Sequence, residues 1–190
     1  MSKTGLKAPF ESERFRLVPL NKWQAFRLTH PWTSDSAFMS DYAGSGESVS
    51  RWRWYRRMLR PNNKNKFCHA IIPHGETKPI GVHNIVIHPY KSCLLAVGIP
   101  DRDWWGKGVV HEVRGRVIEH VFEHSDVDRI YSQVNARNFP SIFNYRKHGF
   151  TYVGTMHRVK QDKVTGAIHD ILIFEMFREE WMEKKAKANA

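Results

Sequence analysis

Three apolar, β-branched runs lie between residues 67 and 100 and constrain the fold more than any other feature of the chain. Their sequences are F-C-H-A-I-I-P, P-I-G-V-H-N-I-V-I-H-P and S-C-L-L-A-V-G-I-P, and the polar segments H-G-E-T-K and P-Y-K separate them. Runs of this composition, bounded by turn residues, are typical of consecutive strands. We therefore predict a three-stranded antiparallel meander in the middle of the chain.

The segments on either side of the meander alternate between strand-like and helical patterns. We predict an early strand over residues 15–20, helices over residues 22–30 and 48–60, and a flexible loop, D-Y-A-G-S-G-E-S, between these helices. After the meander we predict a helix ending near His124, a strand over 129–135, a helix from Pro140 to just before His148, and strands over 151–160 and 167–177. The pattern combines helices with an antiparallel sheet, so the fold class is mixed α/β (α+β).

The length and charge of the chain limit its organisation and its partners. A chain of 190 residues suits one hydrophobic core, so we predict a single domain over residues 1–190 with a solvated C-terminal tail over residues 178–190. Thirty Lys and Arg against 19 Asp and Glu give a formal net charge of +11. This charge favours an anionic partner, such as a phosphorylated cofactor, a nucleic acid, a ribosome or a membrane surface.

The cysteines and the amino terminus indicate the cellular compartment in which we expect the protein. Cys68 and Cys93 form no C-x-x-C pair, so we expect neither a zinc site nor a disulfide framework, and a reducing compartment. The amino terminus lacks the apolar core of a signal peptide, and no window approaches the roughly 18 apolar residues of a membrane span. We therefore expect a cytoplasmic protein that is not inserted in a membrane.

The stretch D-R-D-W-W-G-K-G-V-V-H-E, residues 101–112, joins the meander to the following helix. The first N–H groups of a helix lack intrahelical partners, and glycines before them allow a phosphate to approach the backbone closely. Lys107 would add positive charge at the rim. Gly106 and Gly108 also fit a role in the turn alone, since the pattern matches neither a P-loop nor a dinucleotide-binding fingerprint.

Two further stretches extend this pattern, N-F-P-S-I-F-N-Y-R-K-H-G-F at residues 138–150 and H-D-I-L-I-F-E-M-F-R-E-E-W ending at Trp181. Together with W-W-G-K-G-V-V-H-E they resemble the GNAT superfamily of acyl-CoA-dependent N-acyltransferases, most closely its branch of ribosomal-protein N-terminal acetyltransferases. The resemblance begins at E-R-F-R-L-V-P-L, residues 13–20. It implies a GNAT fold with a mostly antiparallel, splayed central sheet flanked by helices, and acetyl-CoA as the acyl donor without a metal.

The resemblance also implies where the cofactor binds. Backbone N–H groups of the glycine turn would hold the diphosphate, and residues 96–99 of the preceding strand would offer backbone groups to the pantetheine arm. Asp103 occupies the first position of the loop motif, where many members of the superfamily have Gln or Arg. The implied cofactor-binding residues are Val97, Gly98, Ile99, Trp105, Gly106, Lys107, Gly108, Val109, Val110, Asn138 and Ser141.

Acyl transfer from a thioester to an amine needs a neutral amine, a stabilised oxyanion and an acid for the leaving thiolate. The resemblance places Tyr145 at the position of that acid, although the residues alone also fit a helix tyrosine that packs beside Phe150. Many relatives have a glutamate base twelve residues earlier, where this chain has Gln133, which cannot take a proton. The remaining candidates for the base are a water chain, His83, Asp170 and His169, each of which also fits a structural role.

Glu112 lies in the first turns of the helix after the glycines, so we interpret it as a partner of the helix dipole rather than a base.

The segment R-W-R-W-Y-R-R-M-L-R-P-N-N-K-N-K, residues 51–66, contains seven basic residues and no acidic one. Arginine interleaved with aromatic residues suits base stacking and phosphate contact. An amphipathic helix that covers the core with Trp52, Tyr55 and Leu59 also explains the segment.

Three hypotheses about function follow. The first is an acetyl-CoA-dependent N-acetyltransferase, a monomer or homodimer, that moves the acetyl group to a primary amine of a protein N-terminus or a small molecule by direct attack. The second is a nucleic-acid-directed acyl or aminoacyl transferase on the same fold, with the basic segment contacting a nucleic acid or ribosome. The third is a catalytically inactive CoA-binding module, which the glutamine at Gln133 would permit.

Overall fold

The computed structural model describes residues 3–43 and 46–188, in which helices cover both faces of an eight-stranded sheet. Residues 44 and 45 of the predicted loop and the last two residues of the predicted tail lie outside the described residues. The strands are β1 (Phe10–Glu11), β2 (Phe15–Pro19), β3 (Lys66–Pro73), β4 (Gly81–His88), β5 (Ser92–Gly98), β6 (Arg129–Asn135), β7 (Thr151–Gln161) and β8 (Ile168–Phe177). The α-helices are α1 (Lys22–Thr29), α2 (Ser36–Ala43), α3 (Arg51–Arg57), α4 (Val109–His124), α5 (Phe139–Lys147) and α6 (Arg178–Ala188).

The strands lie in the order β1-β2-β3-β4-β5-β6-β8-β7, and every neighbouring pair is antiparallel except β5 and β6. The predicted meander is confirmed, because Phe67 of β3 lies opposite Ile85 of β4, and Ile85 lies opposite Leu95 of β5. Parallel neighbours need a crossover connection, and α4 supplies it between β5 and β6. The predicted mixed fold with a mostly antiparallel sheet is therefore confirmed.

Side chains along the central strands alternate between the two faces of the sheet, and each face has its own hydrophobic cluster. On the first, which we call the α4 face, Phe67, Ile85 and Leu95 pack with Val113 and Val117 of α4. On the second, which we call the α1–α3 face, side chains from the first three helices cover the strands. Its buried residues include Phe26, Met39, Trp54, Cys68, Ala70 and Val82.

Two helices lie where the sequence patterns predicted none. Helix α2 begins before the predicted loop and includes its first three residues, 41–43, so the loop prediction is wrong there. At the start of the helix Asp35 Oδ1 accepts a hydrogen bond from the Phe38 N–H at 2.9 Å, and Phe38 itself is buried. Helix α6 replaces the solvated tail that we predicted from residue 178 onwards. It is anchored because Arg178 Nε donates to the Val127 carbonyl at 2.8 Å and the Trp181 ring packs against Phe122. None of the described helices is long and apolar enough to cross a membrane.

Two histidines are buried where α4 packs on the sheet: His69 belongs to β3 and His120 belongs to α4. The His120 ring stacks on Phe10 with the ring centroids 3.8 Å apart, and His69 contacts both rings edge-on. Burial lowers the pKa of His69 to about 4, and burial with a smaller effect of the nearby His124 lowers the pKa of His120 to about 3. Both imidazoles are therefore neutral in the folded protein at physiological pH.

We expect the free energy of unfolding to fall as the pH is lowered from about 6.5 to 4. Over this range an unfolded histidine binds a proton while the folded one does not, so acid favours the unfolded state by up to about 1.4 kcal/mol per pH unit for each histidine. Urea unfolding at several pH values measures this slope. His120→Phe keeps the ring stacked on Phe10 and removes one titrating group, so its slope should be shallower, and an unchanged slope would contradict the assignment.

Candidate active site

The sheet opens between β5 and β6. The two strands pair only at their first residues, from Ser92 opposite Arg129 to Leu94 opposite Tyr131, although they continue to Gly98 and Asn135. Just beyond the paired region, the Ser132 hydroxyl donates to the Leu95 carbonyl at 3.0 Å and takes the place of a ladder bond. On its β6 side, the backbone of β5 after this point therefore faces the opening, while its other side remains paired with β4, as expected of a splayed sheet.

The loop after β5 brings two glycines to the amino end of α4. Gly106 and Gly108 have φ values of +74° and +75°, and Gly108 directly precedes the first helical residue, Val109. The first intrahelical hydrogen bond runs from the Glu112 N–H to the Gly108 carbonyl. The N–H groups before Glu112 therefore have no acceptor within the helix and point out of its amino-terminal end. These donors, in the positive field of a helix terminus, suit a diphosphate.

The space above this loop is open. A Cβ atom built on Gly106 would meet no other atom within 4 Å, and one built on Gly108 would meet only the Arg14 guanidinium, at 3.7 Å. The glycines are thus required by the positive φ and not by crowding, because other residues rarely adopt this conformation. The geometry fits the pyrophosphate loop that the sequence resemblance implied.

Two tryptophans hold the loop in place. The Trp105 indole donates from Nε1 to the Ile99 carbonyl at 2.9 Å, so the loop is tied to the end of β5. The Trp104 ring packs edge-on against Phe15, with centroids 5.8 Å apart, and Lys107 Nζ lies 5.7 Å from the Trp104 ring. Trp104 and Trp105 therefore fix the shape of the loop before any ligand binds.

Glu112 ties the amino-terminal part of the chain to the same loop. Its carboxylate accepts hydrogen bonds from the Ser12 hydroxyl at 2.7 Å and from the Arg14 backbone N–H at 2.8 Å, and it pairs with Arg14 Nε at 2.6 Å. Partial burial would raise the pKa of Glu112, but these hydrogen bonds together lower it. The carboxylate is thus ionised and already bound to donors, which supports the structural role predicted for it.

The carboxyl ends of parallel strands lie at the same edge of a sheet, so the start of α5 after β6 lies at the same end of the opening as the loop after β5. Asn138 caps α5, and its Oδ1 accepts from the Ser141 N–H at 3.0 Å. The cap occupies the amide oxygen and leaves the amide nitrogen of Asn138 as the group able to contact a cofactor. Residues 97–99 lie at the other wall of the opening.

Tyr145 of α5 is buried between aromatic rings and a guanidinium. Its ring stacks on Phe174 at 5.6 Å and meets Phe150 edge-on at 5.1 Å, so the packing beside Phe150 is confirmed. Arg114 Cζ lies 3.9 Å above the same ring, and the guanidinium also donates to the Asn144 side chain. Burial lowers the pKa of Arg114, and Tyr145 opposes this effect. The orientation of the tyrosine ring is therefore strongly fixed.

A cavity of about 370 Å³ lies on the α1–α3 face, beneath the first three helices. It extends to Ala96, a residue of β5 that lies beyond the region paired with β6, on the face of the sheet opposite α4. Its polar and charged lining consists of Thr29, Tyr42, Glu47, Arg57, Asn84 and Lys160. We call this space the α1–α3 cavity.

Asn84 and Tyr42 are cavity residues that the sequence analysis missed. Asn84 Nδ2 donates to the Tyr42 hydroxyl at 3.1 Å, while Asn84 Oδ1 is buried and has no hydrogen-bond partner among the described residues. Burial raises the pKa of Tyr42, so its hydroxyl stays protonated. The absence of a side chain on Gly98 permits this arrangement, because a Cβ there would lie 2.6 Å from the Tyr42 ring. One signal was visible in the sequence: Asn84 is an amide within the apolar run G-V-H-N-I-V-I.

The structure separates the candidates for the base. Alternation along β4 places His83 on the α4 face, where it is fully buried, and burial followed by the nearby Arg114 lowers its pKa well below the usual value. Alternation along β8 places Asp170 on that face as well, where it accepts hydrogen bonds from the Arg158 N–H at 2.8 Å and His157 Nδ1 at 3.0 Å. Gln133 and the buried His169 lie on the α1–α3 face. His83 and Asp170 are therefore not brought to the α1–α3 cavity.

Comparison with proteins of known structure agrees with this geometry. RimL, a ribosomal L7/L12 alpha-N-protein acetyltransferase solved in complex with coenzyme A, has a TM-score of 0.75 and 16% identity, with 91% of this chain and 99% of that chain covered. Spermidine N-acetyltransferase from Vibrio cholerae, solved with CoA and spermine, has a TM-score of 0.74 and 16% identity, covering 88% of this chain and 98% of that chain. Ribosomal-protein-S5-alanine acetyltransferase from Vibrio fischeri has a TM-score of 0.70 and 17% identity, covering 92% and 98%.

At these identities the likeness to solved structures shows a shared fold. No curated protein has a sequence that matches this chain. The sequence model described as "Acetyltransferase (GNAT) domain" matches residues 14–151, which include the meander, the glycine loop, α4 and Tyr145. The open sheet, the left-handed glycines before α4 and this match lead to one conclusion: the chain belongs to the GNAT acetyltransferase family.

Proposed function

We propose that this protein is an acetyl-CoA-dependent N-acetyltransferase that moves an acetyl group from the CoA thioester to a primary amine by direct attack. One observation carries the proposal: the opening between β5 and β6 has the glycine loop at its end and the α1–α3 cavity beside it. A donor and an acceptor can therefore approach the same point from two sides of the sheet.

The residues at the opening fit the donor. The backbone N–H groups from Gly108 to Val110 would bind the diphosphate, and Lys107 adds positive charge beside them, whereas Arg14 is paired with Glu112. The backbone of residues 97–99 and the amide nitrogen of Asn138 would hold the pantetheine arm. When bound there, acetyl-CoA supplies an activated acyl group whose leaving group is a thiolate.

Within the proposed reaction, the amine enters through the α1–α3 cavity as the neutral base. Asn84 Oδ1 accepts a hydrogen bond from the amine and directs its lone pair towards the opening. Tyr145 donates a proton to the departing thiolate, since its ring is fixed by Phe174 and Arg114. We assign the amine proton to water in the cavity, because Gln133 cannot accept it, His83 and Asp170 face α4, and His169 is not among the residues that line the cavity. Water then returns a proton to the Tyr145 phenolate, so the proton lost by the amine balances the one gained by the thiolate.

The charges of the cavity bear on the acceptor. Arg57 and Lys160 line it together with Glu47, and Glu47 also pairs with Arg53 at 3.1 Å and Lys163 at 3.5 Å. Cations therefore outnumber the carboxylate around the entrance, and they would repel a polycation such as spermine. The arrangement favours a single amine on a neutral or acidic chain, as at a protein N-terminus, or a small molecule of similar charge.

An acceptor screen tests the proposed function. Release of free thiol from acetyl-CoA is followed with peptides that have neutral or acidic N-terminal residues, with small monoamines and with spermine, and products are identified by mass. We expect acetylated peptides or monoamines and no acetylated spermine. Acetyl-CoA binding with no product from any amine would overturn the proposal in favour of an inactive CoA-binding module.

We expect Asn84→Leu to raise the KM for the amine about tenfold while leaving CoA affinity unchanged. A lost hydrogen bond to the substrate corresponds to roughly 1–1.5 kcal/mol, which is about a factor of ten. Initial rates against amine concentration and calorimetric titration with CoA measure the two quantities. Val86→Leu is the control, because Val86 lies on the same face of β4 but outside the cavity lining. Equal amine KM values for the two variants would remove Asn84 from the acceptor site.

A further inference from the structure

An exposed stack of aromatic rings lies on helices α1 and α3. The Tyr55 ring is stacked on Trp23, with centroids 5.2 Å apart and planes 15° apart, and on Trp52, with centroids 5.7 Å apart and planes 20° apart. Trp23 is 52% exposed and Trp52 is 67% exposed. We call these three residues the aromatic stack. Large rings at this exposure contribute little to the core, so their presence on the surface needs another explanation.

The core does not need these rings, because other residues of the basic segment face inward. Trp54 is buried and donates from Nε1 to the Thr29 hydroxyl at 3.0 Å, and Met58 is buried nearby. The interpretation in which Trp52 and Tyr55 cover the core is therefore wrong for Trp52, which points into solvent. The inward residues hold α3 in place and leave the aromatic stack free to contact a partner.

The surroundings of the aromatic stack are strongly basic. Helices α1 and α3 contain no acidic residue, and their basic residues are Lys22, Arg27, Arg51, Arg53, Arg56 and Arg57. Lys22 Nζ lies 5.4 Å from the Trp23 ring. Glu47 forms ion pairs with Arg53 and Arg57, but the other four cations lie on helices without a carboxylate. Planar ring faces surrounded by positive charge are complementary to bases joined by phosphates.

We propose that the aromatic stack binds single-stranded nucleic acid, with unpaired bases on the exposed faces of Trp23 and Trp52 and phosphates on the surrounding lysine and arginine side chains. The rings are already parallel, so binding needs little rearrangement. Bases inside a duplex are stacked on each other and cannot reach these faces. The site is separate from the glycine loop, and it does not depend on the acetyl transfer proposed above.

Fluorescence anisotropy with a labelled oligouridylate tests this proposal. The double variant Trp23→Ala/Trp52→Ala should bind at least about tenfold more weakly, because base stacking on an aromatic side chain is worth on the order of 1–3 kcal/mol per base. The salt dependence of binding should stay the same, since every basic residue remains. Tyr90→Ala, which removes an almost fully exposed ring on the turn between β4 and β5, should bind as the unaltered protein does.

Two control ligands separate base stacking from simple attraction to charge. A perfectly paired duplex and heparin are polyanions without accessible bases, so the double variant should bind each of them as tightly as the unaltered protein does. Equal affinity of the double variant and the unaltered protein for the oligouridylate, or an equal loss of affinity for heparin and for the oligouridylate in the double variant, would overturn the proposal. Binding to vesicles of anionic lipid without binding to the oligouridylate would also overturn it and identify a membrane surface as the partner. Thermal melting and CoA titration of each variant establish that it is folded.

Discussion

Gly108→Val is expected to weaken CoA binding by about 100-fold or more. A β-branched residue at a φ of +75° costs on the order of 1–3 kcal/mol, so the loop must either carry this strain or leave its conformation. If it leaves, the N–H groups at the start of α4 no longer converge on one point. If it stays, the new methyl groups occupy the open space above the loop. Calorimetric titration with CoA measures the effect directly.

Gly75→Val is the matched control for this experiment. Gly75 lies in the turn between β3 and β4 with a φ of +81°, and a Cβ there would meet no other atom within 4 Å. The two variants therefore suffer similar backbone strain, and both should lose a similar amount of stability. We expect only Gly108→Val to lose CoA affinity. A parallel loss in Gly75→Val would mean that general destabilisation explains the result and that the loop is not the diphosphate site.

Tyr145→Phe is expected to lower the turnover number about 100-fold while the affinity for CoA stays the same. Removing a general acid typically costs a factor of 10² to 10⁴ in rate. The phenylalanine ring keeps the stacking on Phe174 and the face presented to Arg114, so the thermal stability of the protein should change little. Thiol release under saturating substrates gives the turnover number, and calorimetry gives the CoA affinity.

Tyr152→Phe controls for the loss of a phenol beside the same aromatic cluster. The Tyr152 ring also meets Phe174, at 5.9 Å, but its hydroxyl bonds to the Thr155 side chain at 2.6 Å. This variant should turn over at the rate of the unaltered enzyme. If Tyr145→Phe does so as well, then Tyr145 does not supply the proton and another donor must be sought at the opening.

The sequence predicted seven of the eight described strands and the glycine loop because their signals are local, whereas the two-residue strand β1 was missed. Mostly apolar runs marked β3, β4 and β5, and the pair of glycines predicted a turn whose positive φ values the structure contains. Helix α2 was missed because its serine-rich and aspartate-containing sequence resembles a loop, and it is held by the burial of Phe38 and Met39 against distant strands. Burial of this kind depends on contacts that no local pattern records.

For a related reason, the sequence could not predict which face of the sheet each side chain of the central strands occupies. Strand β4 is buried on both sides, so its apolar run does not reveal which side chains point towards which helices. His83 and Asn84 are neighbours in the sequence, yet one lies beneath α4 and the other lines the α1–α3 cavity. The pairing of Asn84 with Tyr42 links residues 42 positions apart, which only the folded chain brings together.

The separation of the two hydrophobic clusters by the sheet has an evolutionary consequence. Substitutions in distant regions without shared contacts usually have additive effects. Under the proposed function, helices α1 to α3 could therefore accumulate changes that alter which amine fits, while the loop and α4 on the other side keep their packing. A lineage that uses the two sides of the sheet in this way could exchange one acceptor for another through mutations in a single layer, without passing through forms that have lost the acyl donor.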